Sequence, residues 1–205
     1  MLFFLTSHDA ETIACAAIGR EVAATHIGAI GLHGGDATHT SLQAHLAAHP
    51  QLACFFMSHG TEEAIYGNDE MPAIGVGDFQ NLPGRHAFAY ACFSAMLGQQ
   101  ASTQKWTWWG YDNRIIPPPE NTSAKAVPIF AWIARSFGTV ASEADVDKVL
   151  GELKDVCDHA LDATETLEVL TFFMQIWTRV RVWLPGAKAP LKHPEAFAGE
   201  LDGMY

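Results

Sequence analysis

The sequence predicts an α/β fold: a mostly parallel central sheet with helices on both faces. Three observations predict it. Short apolar runs of strand length recur at 1–5, 27–32, 52–57, 86–91 and 105–110. The first run does not alternate between apolar and polar residues, as expected of a strand buried on both faces. Stretches with helical spacing or helix-capping residues separate most of the runs, and such alternation builds parallel sheets covered on both sides.

Met1 to Leu5 is the first strand. Thr6-Ser7-His8-Asp9 is a loop with capping residues, and the Ala-rich stretch Ala10 to Ala24 is a helix carrying Ile13, Ala17 and Val22. Ile27 to Leu32 is the second strand, followed by a tight turn at His33-Gly34-Gly35-Asp36. Thr38 or Ser41 caps a helix to about Ala48, which Pro50 stops. Leu52 to Met57 is the third strand. Thr61 to Gly84 holds four Gly, two Pro and many acids, and reads as a long irregular connection with at most a hairpin or helical turn.

His86 to Ala91 is the fourth strand, with a helix at Ser94 to Ala101 directly behind it. Lys105 to Gly110 is the fifth, and Tyr111 to Asn121 is a Pro-rich loop. Helical spacing then covers Ser123 to Phe137, Glu143 to Leu161 and Glu165 to Trp183, before an irregular tail from Leu184 to Tyr205. The expected organisation is a single domain over 1–205, with a core at about 1–137 and a C-terminal helical part at about 138–205.

Composition narrows the function. A formal net charge of -11 argues against a nucleic-acid surface. No run reaches the roughly 18 apolar residues of a membrane span, and the five-residue apolar start has no basic segment before it, so no signal peptide is expected. Cys15, Cys54, Cys92 and Cys157 show no C-x-x-C pair and no disulfide spacing, which suits reduced thiols in a cytoplasmic protein.

The chemistry gathers at two strand ends. Ser58-His59-Gly60 follows the third strand and Cys92 ends the run of the fourth. Ligands of open α/β sheets bind outside the carboxyl ends of the strands. A thiol attacks as thiolate, so it needs a base or a stabilising field. His59 can supply the base, and the helix start behind Cys92 the field. The N–H groups of Gly60 and Cys92 are the expected oxyanion donors.

This pattern resembles the caspase-like cysteine peptidases, a group that includes caspases, metacaspases, gingipains, separases and bacterial CHAT domains. Phe55-Phe56-Met57-Ser58-His59-Gly60 is similar to the group's histidine strand, and Ala89-Tyr90-Ala91-Cys92-Phe93-Ser94 to its nucleophile strand. Ile74 to Arg85 resembles the link in CHAT domains, and Trp109-Gly110-Tyr111-Asp112 the strand end that follows the cysteine there. The likeness covers roughly Met1 to Arg135. The caspase signature Gln-Ala-Cys-x-Gly is absent: Tyr90 stands for the Gln and Ser94 for the Gly. Histidine and cysteine are 33 residues apart, against about 50 in caspases.

The resemblance implies a caspase-like three-layer sandwich and a cysteine endopeptidase with a His59–Cys92 dyad and no cofactor. It implies a protein or peptide substrate, a regulatory or sensor protein as further partner, and a role in bacterial antiviral defence or cell death. It places Asp112 at the base of an S1 pocket for a basic P1 residue, with Asp36 as a second acid and Trp109 as a wall. The alternatives are a catalytically silent interaction module on the same fold and a small-molecule cysteine amidase. His33, His39, His45 and His49 invite a metal reading, but a solvated helix face accounts for the His45/His49 pair and no metal is expected. The acids Glu62, Glu63, Asp69 and Glu70 border the expected cleft and suit a basic substrate or, less directly, calcium.

Overall fold

In a computed structural model, which describes residues 1–161 and 165–196, the chain forms an α/β fold around a six-stranded sheet. The strands are β1 (Leu2–Leu5), β2 (Ile30–His33), β3 (Cys54–Met57), β6 (His86–Tyr90), β7 (Thr107–Tyr111) and β8 (Val180–Trp183), in the order β2-β1-β3-β6-β7-β8. All neighbours pair in parallel except β7 and β8. A separate hairpin, β4 (Ala64–Tyr66) with β5 (Pro72–Gly75), lies inside the long connection after β3.

The buried strands read as continuous apolar runs because both faces are covered, yet their side chains still alternate. Phe3, Leu5, Phe55, Met57, Phe88 and Tyr90 point to one face. There they meet α1 (Ala10–Ala24), α4 (Ser123–Ser136), α5 (Glu143–His159) and α6 (Leu167–Thr178). Leu2, Phe4, Cys54, Phe56 and Ala89 point to the other, against α2 (His39–Ala48), α3 (Ala95–Thr103) and the hairpin. Helices on both faces of one sheet make a three-layer sandwich.

Several boundaries differ from the sequence expectation, and each has a physical reason. Ile27 is fully exposed and Gly28 turns at φ +74°, so β2 begins only at Ile30. Lys105 turns at φ +66°, which delays β7 to Thr107. The helix expected over Glu165 to Trp183 ends at Thr178, and Val180–Trp183 is a strand instead. Val-Arg-Val-Trp alternates, and β7 offers it an open edge; Tyr111 pairs with Val180 and Trp108 with Trp183. The C-terminal part is therefore not only helical, since it supplies the last strand of the sheet. Of the tail expected to be irregular, residues 197–205 lie outside the described residues. Among the described residues, no helix is long and apolar enough to cross a membrane.

Candidate active site

Strand order positions the site. From β1 the chain steps outward to β2, then returns to place β3 on the other side of β1. Such a reversal opens a crevice at the carboxyl ends of the strands. His8 and Asp9 follow β1, and Ser58-His59-Gly60 follows β3, so both segments border this crevice. β6 lies next to β3, with Met57 paired to Tyr90. Continuing that register by two residues brings His59 opposite Cys92.

Gly60 shows how close the two strand ends come. A Cβ on Gly60 would lie 2.6 Å from the Cys92 carbonyl oxygen and 2.9 Å from the Ala91 Cβ. The backbones approach too closely for any side chain there, so glycine is a packing requirement. His59 and Cys92 line one narrow slot together with Thr12, Cys15, Tyr90, Ile115 and Ile116. Its free volume is about 20 Å³, space for a single water. On its other side His59 borders an open basin of about 440 Å³ with His8, Asp9, Tyr66 and Glu70.

His59 is held from several directions. Tyr66 N–H donates to its carbonyl at 3.1 Å, and the preceding Ser58 receives the Thr6 hydroxyl at 3.0 Å and donates to the Tyr66 carbonyl at 2.6 Å. The ring Nε2 lies 2.5 Å from Asp9 Oδ2. Asp9 is also the N-cap of α1: its Oδ1 accepts from the Thr12 amide at 2.8 Å and the Thr12 hydroxyl at 2.7 Å. Burial raises the Asp9 pKa, but the hydrogen bonds from His59 and Thr12 outweigh it, and the carboxyl is held well below its ordinary range. With Asp9 ionised, Nε2 is the nitrogen that carries the proton of this hydrogen bond.

Cys92 is half-buried, whereas Cys15, Cys54 and Cys157 are buried. Burial raises the pKa of all four thiols, and takes Cys15 and Cys54 to about 12. At Cys92 the Ile115 amide works the other way, donating to Sγ at 3.4 Å, as does the charge of Arg114. The helix behind the cysteine is displaced relative to the sequence expectation. Phe93 turns at φ +55° with its amide donated to the Asn113 carbonyl, and α3 begins only at Ala95. The thiol thus sits on a tight turn between strand and helix. Among the described residues, neither the Gly60 nor the Cys92 N–H donates to another backbone carbonyl.

The loop covering Cys92 is anchored by a residue the sequence reading did not single out. Gln175 on α6 accepts the Ile116 amide at 2.8 Å and donates to the Ile116 carbonyl at 2.8 Å and to the Tyr90 hydroxyl at 2.9 Å. Tyr90 in turn donates to the Ile116 carbonyl at 2.9 Å. Gln175→Met keeps the shape but strands buried partners, so stability is expected to fall by about 1–3 kcal/mol in urea denaturation.

The remaining residues expected at the site fall elsewhere. Asp112 forms an ion pair with Arg181 on β8, the strand that replaces the expected end of the last helix, and lies 3.9 Å from Arg179, which caps α6. Burial raises its pKa against the pull of these two cations. One of its oxygens is thus engaged within the chain, while Oδ1 is buried with no hydrogen-bond partner among the described residues. Trp109 is 1% exposed in the core and walls no groove. Asp36 is exposed, in a 3-10 turn after β2. Of Glu62, Glu63, Asp69 and Glu70, Glu70 lines the basin beside His59. No metal was expected, yet ligand atoms of His8, Asp9 and His59 lie within 4.8 Å of one another. Asp9 and His8 carried only a capping signal in the sequence, which says nothing about a partner some 50 residues away.

Neither protein-family models nor curated proteins yield a match to this chain.

Proposed function

We propose that the chain is a cysteine endopeptidase of the caspase-like type. The observation that supports it best is the meeting of His59 and Cys92 in one slot at the ends of adjacent parallel strands, with His59 bound to Asp9. In this reading Cys92 Sγ attacks the scissile carbonyl carbon while its proton passes to His59 Nδ1. The developing oxyanion takes hydrogen bonds from the Gly60 and Cys92 amides. His59 then protonates the leaving amine, and water releases the acyl group from the thioester. Asp9 holds the ring and stabilises the imidazolium between these steps.

The open basin beside His59 suits an extended peptide better than an enclosed small amide. With Asp112 paired to Arg181, Glu70 is the acid of the long connection that lines the basin. It favours a partner protein with a basic residue near the scissile bond. A defence or cell-death role rests on the resemblance alone.

The test is a peptide library varied at P1, incubated with wild type and with Cys92→Ala. Cleavage that vanishes in the variant supports the reading. No cleavage by wild type, with no labelling of Cys92 by an electrophilic peptide, overturns it in favour of a silent module.

The thiol's environment adds a pH expectation. The reactive form is the thiolate, and a raised pKa moves its appearance to higher pH. Alkylation of Cys92 by iodoacetamide in the free protein is therefore expected to keep rising beyond about pH 8.5, the ordinary thiol pKa. A plateau at neutral pH would instead indicate a preformed thiolate–imidazolium pair.

A further inference from the structure

We propose that His8, Asp9 and His59 form a binding site for a divalent transition-metal ion of the zinc type, a site that does not depend on the peptidase reading. His8 Nε2 lies 3.7 Å and His59 Nε2 2.5 Å from the same oxygen, Asp9 Oδ2. The two imidazole rings are 5.1 Å apart. Two imidazoles and one carboxylate are a common ligand set for zinc with an open fourth position. Bonds of about 2.0–2.1 Å in tetrahedral geometry place ligand atoms about 3.3 Å apart. The His8–Asp9 distance needs to close by about 0.4 Å, and the His59–Asp9 distance to open by about 0.8 Å as the ion replaces the bridging proton.

The surroundings suit an ion. Asp9 Oδ1 is occupied by Thr12, which orients Oδ2 as a single ligand atom. The loop carrying His8 and Asp9 is tied down at both ends: the Ser7 amide donates to Asn68 Oδ1 at 2.7 Å, and Asp9 caps α1. The basin over the three ligands gives room for a water, and Glu70 lines its wall. Nitrogen donors disfavour magnesium and calcium, which select oxygen, and select zinc and its neighbours.

The test titrates wild type, His8→Gln and Cys92→Ala with ZnCl₂ by calorimetry and with CoCl₂ by visible absorption. The expected result is one ion per chain, binding weakened tenfold or more in His8→Gln, and unchanged binding in Cys92→Ala. The cobalt spectrum should lack a thiolate band, and MgCl₂ should not compete. Thermal melting checks that His8→Gln is folded, and His59→Gln serves as a second ligand variant in the binding titration. Absence of saturable zinc binding, wild-type affinity in both histidine variants, or binding lost in Cys92→Ala overturns the site. The isotherms need no peptidase activity, so failure of the peptidase reading leaves the site standing, and the reverse.

Discussion

Cys92→Ala is expected to lower peptide hydrolysis by at least about 10⁴, because it removes the atom that forms the bond while leaving the oxyanion donors in place. The comparison needs an internal control, since Cys15 lines the same slot. Cys15 is buried on α1, and that burial first, with the charge of Cys92 second, pushes its thiol up to about 12. It stays protonated and inert at neutral pH. Cys15→Ala should therefore keep activity within about tenfold of wild type, its cost being a small packing defect. The fold should survive Cys92→Ala as well, since the thiol is half-buried and its partners are the Ile115 amide and carbonyl. Steady-state hydrolysis with matched urea curves for both variants gives the answer. Activity that survives in Cys92→Ala and falls in Cys15→Ala would exchange the two roles.

Asp9→Asn carries the second largest effect, a loss of roughly 10² to 10⁴ in kcat/KM. Asparagine caps a helix about as well as aspartate, so Asn Oδ1 can keep the Thr12 bonds that begin α1. The other position becomes an amide donor facing His59 Nε2, where the carboxylate accepted. The imidazole must then present a lone pair at Nε2 and carry its proton on Nδ1, the wrong tautomer to receive the thiol proton. Folding and chemistry should separate in size: urea stability at neutral pH falls by the share that the ionised carboxylate contributes, while kcat/KM falls far more. Equal activity would show that Asp9 only caps the helix. Acid behaviour supplies a second readout. The folded Asp9 pKa is depressed below its ordinary value of 3.8, so its stabilisation is present above that pH and is lost as pH falls through the folded value. Asn at this position has no such titration, and the acid limb of stability should lose that component.

Local signals in the sequence determined much of this molecule. The runs at β1, β3 and β6 are strands because short apolar segments bounded by turn residues can be buried on two faces in no other way. The helices α1, α4 and α5 follow from spacing and caps, with Asp9 and Ser142 opening two of them through capping boxes. His59 and Cys92 were legible as candidates because each directly follows such a run, where strand ends expose chemistry. Tertiary structure alone decided the rest. Asp9 meets His59 because β1 and β3 are neighbours, and Gln175 reaches Tyr90 across 85 residues because α6 packs on the same face of the sheet as α1. Val180–Trp183 continues a helical pattern in sequence but pairs with β7 because an open sheet edge outweighs a weak local preference. That same strand brings Arg181 to Asp112 and engages the acid that the sequence offered for the substrate pocket. Periodicity and capping act over a few residues, whereas these contacts depend on strand order, which no short stretch of the chain contains.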